Sequence, residues 1–442
     1  MKLGLIAISG IRAWDKELMD FGLTLPGFVE RSEVVASLPS LGLLTLAGMT
    51  PPHHQIEYSE IRDLDEPVSA SDRFDLVAIS SFTAQIKEAY ALADSYRSLG
   101  VPTVMGGLHL SCMPDEALQH CDAVVLGQGE LSWAEVLQDA ERGNLRRVYG
   151  RTQALFDLGE APMPAFELLD ISKYNRLTVQ SSRGCPFQCE FCASSILISP
   201  KFRQKPIDKV LAEIDKIRGI WERPFIEFAD DNSFVDRGYW KALLPELAKR
   251  KIRWFAETDL SVASDKSLLK LMRASGCGQV LIGFESAERA CLDGLELKTN
   301  WKMKMYDRYR DAIKTIQSEG ITVDGCFIFG LDNQDPNIFD SVLDFVQETE
   351  LYEVQITILT PFPGTPLYSR LKDEGRLLEE NAWEKCTLFD INFVPRNMTV
   401  TELYEGFRNL GEKLYSDEFT NWRREQFKNQ LRRRMRKEKS EI

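Results

Sequence analysis

Apolar and polar positions along the chain repeat with two periods, one of strands and one of helices. KLGLIAI (2–8), QIEYSEI (55–61), LVAISSF (76–82), PTVMGGLHL (102–110) and DAVVLGQGE (122–130) are short runs with the composition of strands. AQIKEAYALADSYRSLG (84–100) and ELSWAEVLQDAERG (130–143) carry apolar residues at helical spacing. Strand alternating with helix predicts a parallel sheet covered on both faces, so residues 1–150 are expected to form a doubly wound, Rossmann-like α/β domain. Residues 151–176 hold two prolines and little periodicity, and read as a linker.

From residue 177 the alternation resumes. LTVQSSR, FIEFADD, IRWFAETD, QVLIGFES, TVDGCFIFGLD and EVQITILTPF are the strand candidates, and PIDKVLAEIDKIR, YWKALLPELAKR, DKSLLKLMRASG and DRYRDAIKTIQSEG are helix candidates among them. About six strand–helix units fall short of the eight that close a full barrel, so residues 177–370 are expected to form a partial (β/α)6 barrel, open on one side. Residues 371–442 then form a helical C-terminal region with a basic tail.

In both architectures ligands gather beyond the carboxyl ends of the strands. The first domain places Ser80, Ser81, Gly106, Gly107, Gly127, Gly129 and Glu130 there, and the glycines among them would let backbone approach a bulky ligand. Tight turns alone would also put glycines at these positions.

Length and charge narrow the picture. A chain of 442 residues favours two domains, and no run approaches the roughly 18 apolar residues of a membrane span. MKLGLIAISG reads as a buried first strand rather than a signal peptide, and nine scattered cysteines argue against a disulfide framework, which together predict a cytoplasmic protein. The net charge of −13 leaves most of the surface repelling nucleic acid, and no nucleic-acid partner is expected.

Three of the cysteines are not scattered. RGCPFQCEFC (183–192) holds Cys185, Cys189 and Cys192, with no fourth cysteine or histidine at zinc-finger spacing. Four thiolates close an iron–sulfur cluster, one on each iron. Three leave one iron with an open position, as a catalytic zinc site keeps one and a structural site does not. Gly184 and Pro186 help the loop turn, and Phe191 precedes its last cysteine. Zinc is the competing reading, in a chain with four histidines and none within 60 residues of the loop.

The cysteine loop in this setting resembles the signature of radical S-adenosylmethionine (radical SAM) enzymes. The resemblance runs from residue 177 to about 370. It implies a 4Fe–4S cluster on Cys185, Cys189 and Cys192, and S-adenosylmethionine chelated to the open iron and cleaved reductively to a 5′-deoxyadenosyl radical. It also implies an external electron donor such as flavodoxin or ferredoxin. Phe228-Ala229-Asp230-Asp231-Asn232 resembles the family's stretch for the methionine amino group, Glu285 before Ser286 resembles its ribose-binding acid, and the segment around Pro361 its adenine site. An ammonium suits a carboxylate, and a ribose diol suits a carboxylate that accepts both hydroxyl protons. Capping, ion pairing and rigid turns would use the same residues.

A sheet domain, a short linker with MPAFELLDISKY and then the cluster loop resembles the cobalamin-binding subgroup, close to the hopanoid methylases and anaerobic Mg-protoporphyrin cyclases. The D-x-H-x-x-G motif that supplies an axial histidine is absent: the segment after the first strand reads SGIRAWDKELMDFG. His53, His54, His109 and His120 are not placed to replace it, so cobalamin is expected without a protein histidine on cobalt. The resemblance implies methylation of an unactivated carbon of a small molecule, with a lipid or tetrapyrrole among the candidates. Radical cyclisation, ring contraction or a mutase reaction uses the same parts. A non-enzymatic iron–sulfur or cobalamin-binding regulator is the third class.

In the tail, Trp422, Phe427, Leu431 and Met435 recur near helical spacing opposite many basic residues. The stripe packs on the barrel, or makes a peripheral contact with the inner face of a membrane.

Overall fold

The structure, a computed structural model, describes residues 1–10, 13, 15, 17–18, 38–61, 73–151, 153–194 and 201–440, with side chains as far as residue 434. Most of the segment after the first strand, and the Met435 side chain, lie outside the described residues.

The first domain is a six-stranded sheet in the order β2-β1-β3-β4-β5-β6, parallel throughout. Its strands are β1 (Lys2–Ile8), β2 (Gln55–Ile61), β3 (Leu76–Ser81), β4 (Thr103–Gly106), β5 (Ala123–Gly127) and β6 (Val148–Arg151). Helices Ile86–Ser98 and Trp133–Glu141 run close to the predicted spans. The pattern did not mark β6, where only Tyr149 of the four residues is buried. It also missed the helix Leu41–Met49, whose apolar residues show no 3.6-residue stripe. That helix starts on Ser40, whose side chain accepts from Leu43 N, and it packs against the linker, where Ala165 N donates to Leu44 O at 2.9 Å.

The second domain is also a six-stranded parallel sheet, in the order β14-β13-β12-β11-β10-β7. These strands are β7 (Leu177–Val179), β10 (Phe225–Phe228), β11 (Arg253–Thr258), β12 (Cys277–Glu285), β13 (Thr322–Phe329) and β14 (Glu353–Ile358). β7 and β14 are the two edges and do not pair, so the barrel is open. Phe228 and Trp254 point outward onto Trp240 of the helix Arg237–Arg250, and Phe284 and Phe327 onto Phe345 of the helix Ile338–Thr349. Because side chains alternate along a strand, Glu227, Phe255, Glu257, Gln279 and Asp324 turn to the lumen. The outer face is therefore apolar and the lumen polar.

Between β7 and β10 the chain makes a short antiparallel ribbon of β8 (Ser182–Arg183) and β9 (Arg203–Gln204). Beyond β14, Trp383 and Cys386 cross back into the core of the first domain. The helix Val400–Tyr415 starts with a capping box of Thr399 and Glu402, and its Tyr415 hydroxyl donates to Val354 O at 3.1 Å. The last helix, Asp417–Ser440, lies on the amino end of the barrel, with Phe427 against Tyr352 at 5.1 Å and Gln430 donating to Glu350 at 2.6 Å. Among the described residues no helix is long and apolar enough to cross a membrane.

Candidate functional site at the facing strand ends

The carboxyl ends of the two sheets face each other across a cavity of about 410 Å³. On the first-domain side it is lined by Gly42, Ser80, Gly106, Gly107, Gly127, Gln128, Gly129 and Glu130; on the barrel side by Gln180, Arg183, Ser194, Ala229 and Asp231. Gly107 at φ +135° and Gly127 at φ +70° occupy backbone conformations that side-chain-bearing residues avoid, and Cβ atoms there would narrow the lining. Ser81 is not part of the lining; its hydroxyl donates to Phe82 O at 2.8 Å. Glu130 pairs with Arg183 of the ribbon, which also donates to Gln128 at 3.0 Å and Gln180 at 2.6 Å. The first domain is thus fastened to the chain immediately ahead of Cys185.

The cysteine loop is held from four directions. Gly184 N donates to Asp231 at 2.7 Å, and the Ser194 hydroxyl donates to the same carboxylate. Glu190 N donates to Leu295 O at 2.9 Å, and Leu297 N to Gln188 O at 2.8 Å, a short bridge between the loop and residues 295–297. Glu296 accepts from Gln188 N at 3.2 Å and from Thr299 N at 2.6 Å. Glu190 is held by Arg370 through two guanidinium nitrogens, at 3.1 and 2.8 Å. Phe191 is partly buried against the barrel core, and Phe187 packs at a tilt against Trp301, with ring centroids 4.5 Å apart.

Burial pushes the Cys185 thiol up to about 11 and the Cys189 thiol up to about 12; Cys185 feels Cys192, and Cys189 feels both other cysteines of the loop. A metal bound here would displace both protons. The Asn232 amide donates to Asp259 at 2.8 Å and lies 3.9 Å from Cys185 Sγ. Its carbonyl oxygen is buried with no partner among the described residues, an acceptor beside the cluster loop that fits an ammonium group. On the other side, Glu285 at the end of β12 pairs with buried Lys302 at 2.7 Å. A register shift between Gly283 and Glu285, with Glu285 at φ +65°, re-aims this carboxylate. Burial alone would push the Lys302 ammonium down, but Glu285 and Cys189 beside it outweigh this and hold it charged.

Three residues singled out from the sequence also make contacts within the chain. Asp230 is buried and accepts from Ser181 N at 2.7 Å and Ser182 N at 2.8 Å, so its oxygens are committed to the end of β7. Burial lifts it to about 6, partly offset by those bonds. Ser286 is buried and its hydroxyl accepts from Glu288 N at 3.1 Å. Pro361 follows β14, where its carbonyl accepts from Cys386 Sγ at 4.0 Å. Lys302, Glu296, Arg183 and Arg370 were not read from the sequence, because each partner is fixed by the fold rather than by local spacing.

The donor set fits a cluster with an open corner: three thiols on one loop and no histidine among their neighbours. The glycine-lined strand ends leave space for a corrin, and none of the four histidines lines the cavity. His53 and His54 sit with Glu141 at 3.3 and 3.5 Å, His109 with Glu116 at 3.4 Å, and His120 with Asp94 at 2.7 Å.

Comparison with known proteins agrees with this geometry. The radical SAM superfamily profile matches residues 179–346, a B12 binding domain profile matches residues 31–137, and a domain of unknown function matches residues 365–442. A bacteriochlorophyllide d C-12(1)-methyltransferase of Chlorobaculum tepidum is 29% identical over 389 residues, 86% of this chain and 83% of that protein. A hopanoid C-2 methylase of Rhodopseudomonas palustris is 29% identical, over 82% of this chain and 69% of that protein. In fold, the chain is similar to the radical SAM methyltransferase TsrM of Kitasatospora setae, with a TM-score of 0.66 at 13% identity over 98% of this chain and 99% of that one. The open parallel barrel with its three-cysteine loop is thus matched as a radical SAM domain, and the parallel sheet domain with its glycine-lined end as a B12 binding domain.

Proposed function

We propose that this chain is a cobalamin-dependent radical SAM methyltransferase that acts on an unactivated carbon of a small molecule. One observation carries the reading: a single cavity is bounded by the glycine-lined strand ends of the B12-type domain and by Arg183, Ser194 and Asp231, the residues that frame the cysteine loop. When bound, the cluster and S-adenosylmethionine supply a radical, and cobalamin supplies a methyl carrier, to one shared space. The chain's own contribution is placement. Cys185, Cys189 and Cys192 hold the cluster; Asn232 accepts from the amino group of S-adenosylmethionine; Glu285, aimed by its strained backbone and held by Lys302, faces the ribose. Asp231 positions the loop through Gly184 and Ser194. Gly106, Gly107, Gly127 and Gly129 leave room for the corrin.

The relatives' names make lipids and tetrapyrroles the first substrates to screen. An external flavodoxin or ferredoxin supplies electrons in this reading. The tail's Phe427 is spent on the barrel, so membrane contact forms no part of it.

The test is anaerobic reconstitution with iron, sulfide and hydroxocobalamin, followed by metal counting and a search for products. About four irons and one cobalt per chain are expected, with both 5′-deoxyadenosine and S-adenosylhomocysteine formed. Cys189→Ala loses most of the iron and all reductive cleavage; full iron and normal cleavage in that variant overturn the assignment. Deoxyadenosine without S-adenosylhomocysteine or bound cobalt moves the chain to radical cyclisation or rearrangement.

A further inference from the structure

The barrel lumen holds a row of acids that the site described above does not use. Glu257 of β11 is in register with Leu281 of β12, Leu281 with Asp324 of β13, and Asp324 with Glu353 of β14. All four positions turn inward, because the residues flanking them in each strand face the helices. Glu227 of β10 lies beside the row and faces the same space.

Most of these carboxyl groups are spoken for. Glu227 is paired with buried Arg176, Glu353 with fully buried Arg423 at 3.5 Å, and Asp324 accepts from Gln279 at 3.2 Å. Near the mouth, Asp231 holds the cysteine loop and Glu285 holds Lys302. Glu257 differs: among the described residues it makes no hydrogen bond or ion pair, and it is accessible to water although protein surrounds it. It is one residue short of the carboxyl end of β11 and feels Asp230 and Asp231, which tie it to the cavity mouth.

The surroundings define what would settle there. Among the described residues, four carboxyl groups, Glu227, Glu257, Asp324 and Glu353, are met by the guanidinium groups of Arg176 and Arg423, with Arg253, on the same face of β11 as Glu257, set over Phe225. A second anion would raise the strain, a hydrocarbon would leave Glu257 desolvated and unpaired, and a cation would relieve both. We propose that Glu257 is a substrate-binding residue that anchors a cationic nitrogen of the substrate, an ammonium or amidinium, inside the barrel lumen. Burial first, then Glu227, Asp231 and Asp230, push the Glu257 carboxyl up to about 8. S-adenosylmethionine is itself a cation, and Glu257 shares Asp231 with the cysteine loop, so the cofactor's own ammonium is the competing occupant that the test must separate. The proposal rests on the radical SAM reading of the barrel.

The test uses the reconstituted protein with S-adenosylmethionine bound. Binding of benzylammonium, with benzyl alcohol as its uncharged match, is followed by ligand-observed NMR, and reductive cleavage of S-adenosylmethionine is measured in parallel. Wild type is expected to prefer benzylammonium, Glu257→Gln to bind it at least about tenfold more weakly, and Glu257→Asp to recover part of the loss, while all three keep their iron and their affinity for S-adenosylmethionine. Equal benzylammonium binding in wild type and Glu257→Gln overturns the proposal. So does a variant that loses affinity for S-adenosylmethionine, which would assign Glu257 to that cofactor's own ammonium. Absence of cleavage in wild type defeats the underlying reading instead, and is seen before any variant is made.

Discussion

At the scale of single residues, the site is built from buried charges that depend on one partner each. Glu285 adopts a left-handed backbone, which costs a side-chain-bearing residue about 1–3 kcal/mol and persists only where the surroundings enforce it. Lys302 is that enforcement, bonding both the carboxylate and Gly283 O at 2.7 Å. Lys302→Met strands a buried carboxylate and is expected to destabilise the protein by about 3 kcal/mol and to raise the KM for S-adenosylmethionine, as read by urea unfolding and by deoxyadenosine formation. Glu257 gives a different signature. Its carboxyl lies near 8 in the folded protein against 4.5 in the unfolded chain, so across that interval the native state keeps a proton that the unfolded state has released. Stability contributed by this group therefore falls as pH rises through the window, and Glu257→Gln abolishes the fall. Melting temperatures at pH 6 and pH 9 should show the variant gaining on wild type at the higher value; a constant difference would mean that Glu257 titrates as an ordinary carboxylate.

At the scale of elements, what was legible in the sequence was what local spacing encodes. The strands with apolar runs, the helices with a 3.6-residue stripe and the three cysteines inside eight residues could all be read directly. β6, with one buried residue, and the evenly apolar helix Leu41–Met49 carry no such period and were missed. The two-residue strands β8 and β9 are too short to have one. Asp230 shows the limit for site residues. An acid at a strand end reads as a ligand-binding group, yet Ser181 and Ser182, nearly fifty positions earlier, occupy it. Arg183 and Glu130 show the converse, a functional link between elements 53 positions apart with no motif to announce it. Their side chains are 18% and 8% exposed, so the pair is mostly buried and truncating one partner should be costly. Arg183→Met is expected to destabilise by about 3 kcal/mol by leaving Glu130 unpaired, and the double variant Arg183→Met with Glu130→Gln to recover much of that. A double-mutant cycle that returns no coupling would mean that the ribbon is held to the first domain by packing alone.

At the scale of the whole molecule, the two sheets are not free to drift apart, and the C-terminal region explains why. After the barrel the chain returns to the first domain, where Trp383 donates to Glu116 at 3.1 Å and Lys87 pairs with Glu384 at 2.6 Å. It then doubles back to close the amino end of the barrel with its last helix. The sequence left two readings of that basic helix, a stripe packed on the barrel or a peripheral membrane contact, and its charges divide into two populations. Arg432 pairs with Glu425 at 2.9 Å while both are about half exposed. Arg423 is fully buried, bonds Leu414 O at 3.0 Å and supplies the charge that Glu353 and Asp324 share inside the lumen. The two should therefore respond differently. Arg432→Ala is expected to change stability by less than about 0.5 kcal/mol, as exposed pairs do. Arg423→Met removes the cation from a row of buried acids and is expected to cost about 3–5 kcal/mol, and to weaken iron retention because β13 and β14 lose their anchor at the end opposite the cluster. Thermal unfolding and iron counts of the two variants, reconstituted side by side, decide the matter: equal losses would mean that the tail acts as one packed surface, whereas a loss confined to Arg423 makes that side chain part of the barrel's interior.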